Sequence, residues 1–393
     1  PLTAYVDTVT SATLIRTPPA PGRITKEATR AWGITEWTLS NGIKVVLKPT
    51  DFKEDEIVFR AFSPGGTSLA TDAQFLAASS AASLVGVGGL GELSNIALGK
   101  AMTGKVASAS ASISELEEVL SGRASKKDLE AMFQLAYLRV TAPRADPAVF
   151  GVMMGQMKMM MANMQASPEF AFSELVSKTM SQDHMRARTP SADQLASITL
   201  DDAMRFYKDR IADMGDFAFV FVGSLDLATM RPLVEQYIAS LPSTGRKETW
   251  KDVGMHPPEG LVTREVRKGV EPKSQTSINF TGPFQYNQEQ RVAIRAMADI
   301  LQTRLREALR EELGGTYSVS AGASYENRPR EEYQVSISFG SDPTRAEALA
   351  ARVLQEIEAF RTTGPTEKQV SDAKTKLDRD FETNIKQNTY VVS

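Results

Sequence analysis

The order of predicted strands and helices in the first half of the chain is repeated in the second half. The first series opens with strands at Thr35–Leu39, Ile43–Leu47 and Ile57–Phe62, and helices follow. The second series opens with strands at Val262–Val266 and Thr276–Phe280, and helices again follow. Segregated runs of strands and helices are typical of α+β folds. The sequence therefore predicts an α+β fold that is used twice, in two strand-and-helix domains.

The chain length supports two domains, because 393 residues exceed the size at which a single hydrophobic core keeps growing. Residues 1–31 are rich in Pro, Thr and Arg without a sustained period, which predicts a linker or extended segment. A stretch of Pro, Ser, Thr and Gly at 242–245 begins a connection. We therefore expect domains at 32–245 and 246–393. The helical pattern of 369–393 lacks a stop signal, which favours a second domain that is truncated.

Composition excludes several classes of function. The formal net charge is −3 and no basic stripe is present, so nucleic acid is not an expected partner. The longest apolar runs are far too short for a membrane span. Cysteine is absent, and the two histidines, His184 and His256, lack a second His or a Glu at zinc-binding spacing. The sequence thus predicts no metal site and no catalytic residue in this chain alone.

Two further patterns leave alternatives open. Gly86–Gly91 matches the G-x-G-x-x-G fingerprint, but a helix-like segment precedes it where a dinucleotide site needs a buried strand. A loop that ends a helix is therefore favoured over nucleotide binding. The helix predicted from Pro147 to about Met164 is rich in Met, which fills core gaps and also suits surfaces that accept varied apolar partners. Core packing is the favoured interpretation.

The segment Leu309–Val319 is the most informative one. A long helix ends at Gly314-Gly315 and the chain turns at once into an alternating strand. This geometry could bring Arg310, on the last helical turn, near Tyr317 at the start of the strand. Arg offers a fork of donors and Tyr a hydroxyl donor, both suited to peptide carbonyls. From the residues alone, the alternative stays open that Arg310 stabilises the helix C-terminus and Tyr317 packs.

This segment resembles the one in pitrilysin/insulinase-type zinc peptidases where an Arg and a Tyr, separated by six residues, follow a long helix. Arg310 and Tyr317 have that spacing. Other stretches resemble the family in the same order along the chain. They are the hairpin Thr35–Leu47, Gly223-Ser224 after a strand, Leu241-Pro242-Ser243 at a domain end, and Lys268-Gly269 to Phe280.

The resemblance implies that the two domains form one half of a clamshell that closes around a peptide. In that family the catalytic half carries H-x-x-E-H on its first helix and holds zinc there. The corresponding helix here, Ala73–Val85, contains neither His nor Glu. The resemblance therefore implies the C-terminal, non-catalytic half, with no cofactor in this chain and zinc in a partner half.

The implied function follows from that assignment. We expect the chain to enclose and orient a peptide substrate and to supply Arg310 and Tyr317 to an active site whose zinc lies on the other half. The isolated chain would then be inactive. The zinc-bearing half could lie upstream in the same polypeptide or be a separate subunit, and bacterial relatives imply the periplasm. The alternative is a structural or peptide-binding scaffold with no role in hydrolysis.

Overall fold

A computed structural model describes residues 13–313 and 319–393. Contacts divide the described chain into two compact units. Unit 1 comprises 13–161, Pro190–Val253 and Ile385–Ser393. Unit 2 comprises Ala162–Thr189 and Gly254–Asn384, apart from 314–318.

Strands and helices alternate in blocks along the described residues. The strands are β1 (Ile24–Thr29), β2 (Thr35–Leu39), β3 (Lys44–Pro49), β4 (Ile57–Pro64), β5 (Ala107–Ile113), β6 (Glu117–Ala124), β7 (Ala218–Gly223), β8 (Ser274–Pro283), β9 (Val319–Glu326) and β10 (Glu332–Ser341). The helices are α1 (Phe75–Gly86), α2 (Asn95–Ala101), α3 (Leu129–Thr141), α4 (Pro147–Ala166), α5 (Pro168–Met180), α6 (Ala192–Ala196), α7 (Leu200–Ile211), α8 (Leu227–Leu233), α9 (Gln288–Leu313), α10 (Ala346–Thr363), α11 (Glu367–Asn384) and α12 (Asn388–Val392). None of the helices in this part of the chain is both long and apolar enough to span a membrane.

Unit 1 is built on a seven-stranded sheet in the order β1-β2-β3-β7-β4-β6-β5. All neighbours are antiparallel except β3 and β7, which run parallel. The strand β7 lies in the centre, and its sequence AFVFVG is apolar throughout, as is typical of strands in the middle of a sheet. Its rings stack with others in the core, which includes Phe59, Phe133, Phe219, Phe221 and Tyr237.

The Met-rich helix α4 is only partly a core element. Met154 is buried, and other Met side chains of the helix pack against the core of unit 1. Met159 and Met160 are 65% and 55% exposed. The helix carries a single charged residue, Lys158, so its outer face presents thioethers and small side chains to solvent. The favoured interpretation, core packing, therefore holds for one side of α4, whereas the other side is exposed to solvent.

Unit 2 contains a three-stranded antiparallel sheet in the order β8-β10-β9. The long helix α9 packs on it, and Leu301, Leu305 and Leu309 bury one side of the helix. Their spacing of four residues places them on one helical face. They meet Ile337 and Phe339 of the central strand β10, which are at most 2% exposed.

The two units share an order of elements. In unit 1 the strand β4 is followed by helices and then by the hairpin β5–β6, and β6 pairs with β4. In unit 2 the strand β8 is followed by a helix and then by the hairpin β9–β10, and β10 pairs with β8. The sheet orders β4-β6-β5 and β8-β10-β9 are thus equivalent. The predicted α+β fold class is confirmed.

The compact units differ from the predicted domain limits in four places, of which one is the limit at 245, since residues 246–253 belong to unit 1. Within the predicted linker, β1 pairs with β2 and so belongs to the sheet. The segment Ala162–Thr189 belongs to unit 2 and Ile385–Ser393 to unit 1. The last segment is held by Asn388, which is fully buried and bonds to Thr50 Oγ1 at 2.6 Å. Local sequence patterns do not reveal such long-range bonds.

Candidate functional site

The predicted substrate-binding pair lies at the end of α9. Arg310 belongs to the last turn of that helix, but its side chain lies outside the described part of the structure. Tyr317 also lies outside the described residues. The proximity of the two side chains therefore stays a prediction. The elements on either side of the segment are described, and they show how its ends are held.

Gln302 anchors the first residues of β9 to the helix. Its Nε2 donates to the carbonyl oxygen of Val319 at 2.9 Å, and its Oε1 accepts from the backbone N–H of Ala321. A side-chain amide that bonds to two backbone groups fixes both position and direction of the strand. The strand that follows Tyr317 is therefore held against the same helix that carries Arg310.

An ion-pair network holds α9 against α10. Arg304 Nε lies 2.7 Å from Glu356 Oε1, and Arg352 lies 3.1 Å from the same carboxylate. The Arg304 guanidinium also stacks over Phe360 at 5.0 Å from the ring centroid. Partial burial tends to raise the pKa of Glu356, but hydrogen bonds from the two arginines lower it overall. The helix that ends at the Arg310 segment is thus fixed on two sides.

Helix α1 is the helix on which the family resemblance would place zinc ligands. Its sequence, FLAASSAASLVG, contains no His, Asp, Glu or Cys. Ala78, Ala81 and Leu84 are buried in the core of unit 1, so the helix serves packing. Among the described residues, no group of three or more His, Cys, Asp or Glu could hold a metal ion. The residues of α1 therefore do not fit a zinc site.

The glycine-rich loop Gly86–Gly91 follows α1, as its helix-like context predicts. A Cβ on Gly88 would lie 2.0 Å from the carbonyl oxygen of Arg144, and one on Gly89 would lie 2.1 Å from that of Leu93. The space beside these glycines is therefore filled by the chain's own backbone. This explains the glycines by close packing, without a pyrophosphate.

The two histidines take structural positions in unit 2. His184 caps a short 3-10 turn, where its Nδ1 accepts from the backbone N–H of Arg186 at 3.3 Å. The carbonyl oxygen of His256 accepts from Gln182 Nε2 at 3.3 Å. The fold thus brings these distant parts of the sequence near one another through Gln182.

A buried carboxylate in unit 1 escaped the sequence analysis. Glu118 on β6 is 0% exposed, and its Oε2 accepts from the backbone N–H of Gly66 at 2.6 Å. Arg210 and Arg246 approach its Oε1 at 3.7 and 3.9 Å. Burial raises the pKa of Glu118 to about 7. The hydrogen bond from Gly66 and the charges of the two arginines lower this pKa, but their effect is smaller than that of burial. The one available signal was alternation, since Glu118 shares a strand face with buried Leu120.

This carboxylate holds the turn at the end of β4. Gly66 has a φ of +61°, and a Cβ there would lie 2.3 Å from the carbonyl oxygen of Ser114. Arg210 also bonds to Glu248 at 2.7 Å, and the backbone N–H of Lys251 bonds to Ser68 Oγ at 3.0 Å. The connection that leaves unit 1 is therefore tied to the same buried cluster.

Comparison with known proteins gives consistent results. Residues 197–377 match the family model of the peptidase M16 inactive domain. The chain is 26% identical over 357 residues to "Probable zinc protease PqqL" of Haemophilus influenzae, which covers 90% of this chain and 38% of that protein. The crystal structure of the periplasmic protease PqqL from Escherichia coli aligns with a TM-score of 0.87 at 22% identity, covering 100% of this chain and 43% of that one.

A smaller solved protein is also similar. The peptidase M16 inactive domain from Pseudomonas fluorescens aligns with a TM-score of 0.69 at 19% identity, covering 91% of this chain and 86% of that one. By contrast, the chain spans only 38% of the length of the curated relatives that it matches.

Proposed function

Since the chain is homologous to the C-terminal halves of PqqL-type zinc proteases in peptidase family M16, we propose that it is the zinc-free half of a two-part peptidase. It encloses and orients a peptide substrate, and it extends Arg310 and Tyr317 toward an active site on the other half. The observation that carries this proposal is the match to the M16 inactive domain. The absence of ligand residues on α1 agrees with it.

The chemistry of Arg310 and Tyr317 suits peptide hydrolysis. Zinc bound to the other half would supply a Lewis acid and an activated water. The Tyr317 hydroxyl donates a hydrogen bond to the substrate carbonyl oxygen, where negative charge develops in the transition state. A preorganised donor of this kind contributes about 3 kcal/mol. Arg310 holds a neighbouring substrate carbonyl through its planar fork of donors.

The surroundings of the segment support this assignment. Gln302 fixes the start of β9, and Arg304 fixes α9 through Glu356. A catalytic donor needs such support, because a displacement of about 1 Å costs much of its effect. A loop that only connects two elements needs no comparable anchors on both sides.

The test is Tyr317→Phe in the complete enzyme, made by joining this chain to its zinc-bearing half. We expect kcat to fall on the order of 100-fold with a smaller change in KM, since the lost bond is strongest in the transition state. Hydrolysis of a fluorogenic peptide under saturating and limiting substrate separates the two parameters.

The matched control is Tyr325→Phe on β9, which removes a hydroxyl from a ring that stacks on Phe284 at 5.4 Å. That variant should keep both parameters. If Tyr317→Phe also leaves kcat and KM unchanged, Tyr317 has no catalytic role, and the scaffold function becomes the better explanation.

We also propose that the protein acts in the bacterial periplasm together with its zinc-bearing half. The support is the similarity to a PqqL described as a periplasmic protease. Release of the complete protein by osmotic shock, with retention of a cytoplasmic marker, is the expected result. Retention of the protein with the marker would overturn this location.

A further inference from the structure

Met157 of α4 has a methionine at each of its four neighbouring positions on the helix surface. Met153 and Met154 lie one turn before it, and Met160 and Met161 lie one turn after it. Residues three and four apart on a helix are neighbours, with about 5 to 6 Å between their Cβ atoms. The five side chains therefore form one continuous patch of thioethers, and all of them belong to unit 1.

The patch extends from the core of unit 1 to solvent. Met154 is 7% exposed, whereas Met153, Met157 and Met161 are half-buried and pack against the core. Met160 is 55% exposed. Met153, Met157 and Met160 follow one another at spacings of four and three residues, so they form a row along one side of α4. A small ion can reach this row from solvent, while apolar side chains flank it on the core side.

Packing alone does not account for the choice of methionine. The helix α4 contains no Leu and no Ile, although both supply much of the core elsewhere in unit 1. Leu has nearly the volume of Met and loses less side-chain entropy on burial, so it is the better core residue. An exposed position such as that of Met160 gains little from an apolar side chain. The property that the buried, half-buried and exposed positions share is the thioether sulfur.

The chemistry of the thioether points to one kind of ligand. Thioether sulfur is soft and binds Cu(I), whereas Zn²⁺ is held by thiolates, imidazoles and carboxylates. A Met side chain turns about three bonds, so the sulfurs of Met153 and Met160 can approach that of Met157. The one charged residue of α4, Lys158, follows Met157 directly and therefore does not face the row.

We propose that Met153, Met157 and Met160 form a binding site for Cu(I), with one thioether sulfur from each as a ligand. Met157 stands in the middle of the row and supplies the central ligand. Met154 and Met161 shield the site on the core side. The three ligands are neutral, so the site holds only the single charge of Cu(I), which costs less beside an apolar core than the charge of a divalent ion. The site is independent of the proposed peptidase function.

Competition for Cu(I) tests the proposal on the 393-residue chain. The ion is supplied without oxygen as its bicinchoninate complex, whose colour is lost when the protein takes up the ion. The natural chain should remove one Cu(I) per molecule. The triple variant Met153→Leu, Met157→Leu and Met160→Leu should remove none. Leu nearly keeps the volume of Met, so the triple variant should stay folded, which its Tm measures independently.

Three control variants accompany this experiment. A matched triple variant replaces Met102, Met185 and Met204 by Leu, of which two are half-buried and one is 38% exposed. Met159→Leu changes the other side of α4, where the side chain is 65% exposed. Both should take up one Cu(I), as the natural chain does. Met157→Leu alone should already weaken the uptake, so a folding defect of the first triple variant leaves the test intact.

The dependence on pH separates thioethers from other ligands. A thioether carries no proton, so the uptake of Cu(I) should be equal at pH 5.5 and pH 8. Binding at His184 or His256 would weaken at the lower pH, because a protonated imidazole does not hold a metal. X-ray absorption at the copper edge should show three sulfur neighbours. Uptake that persists in the first triple variant, is lost in the matched one or falls at pH 5.5 would overturn the proposal, as would no uptake by the natural chain.

Discussion

Substitution of the buried Glu118 by Gln should change how the stability of unit 1 depends on pH. The folded pKa of Glu118 is about 7 and the ordinary value is 4.5, because burial disfavours the charged form. Between these values the unfolded chain loses the proton while the folded chain keeps it. The free energy of unfolding therefore falls as the pH rises from about 4.5 to about 7. Gln does not titrate, so the variant lacks this part of the pH dependence.

The expected size follows from the difference between the two pKa values. At about 1.4 kcal/mol per pKa unit, the full effect is about 3 kcal/mol. Between pH 5 and pH 8, the stability of Glu118→Gln should rise by about 2 to 3 kcal/mol relative to that of the natural protein. The amide oxygen of Gln can still accept from Gly66 N–H, so the turn keeps its bond.

Urea unfolding at pH 5, 6, 7 and 8 measures this difference, with fluorescence of the buried Trp37 as the probe of unit 1. The control is Asp226→Asn, which removes the charge at the N-cap of α8 but keeps a side-chain oxygen that can accept from Thr229 N–H. Bonds from Thr229 lower the pKa of Asp226, so its stabilisation is lost only below about pH 4. The control should shift stability equally at all four pH values. A difference for Glu118→Gln that stays constant from pH 5 to pH 8 would refute the reasoning.

Further predictions concern the anchors and the missing metal site. Gln302→Met keeps the volume but loses the bonds to β9, and it should lower the free energy of unfolding by about 1 to 3 kcal/mol in a urea titration. Gly88→Ala should lower Tm strongly, because its Cβ would lie 2.0 Å from the Arg144 carbonyl oxygen, whereas Gly99→Ala in α2 meets nothing and should keep or raise Tm. Dialysed against zinc, the isolated chain should retain no stoichiometric metal by mass spectrometry, and one tightly bound zinc per chain would contradict this.

The sequence predicted the elements whose side chains follow a clear period. The strand at Thr35–Leu39 has the same limits in the structure, and the strand predicted at Ile57–Phe62 lies within β4. The hairpin β5–β6 was missed because Ala107–Ile113 reads ASASASI. Small side chains carry little strand propensity. The segment forms a strand because it pairs with β6, which in turn pairs with β4.

The candidate site was predictable in part. The family resemblance carried by Leu309–Val319 is confirmed, whereas the roles of Arg310 and Tyr317 stay predictions. The anchors Gln302 and Glu356 could not be inferred, since polar residues on a helix are usually solvated. Glu118 on β6 was missed because its partners come from the distant segments around Gly66 and Arg210.

The return of the chain to unit 1 after it has built unit 2 has a consequence for biosynthesis. Asn388, which is fully buried, is translated long after the residues it bonds, Thr50 and Glu56. At about 5 to 20 residues per second, the ribosome needs on the order of ten seconds to pass from Gly254 to this residue. Until then the nascent unit 1 lacks the segment that carries Asn388, so the buried site of this residue stays unfilled. A chaperone that covers this site would be needed most during that interval.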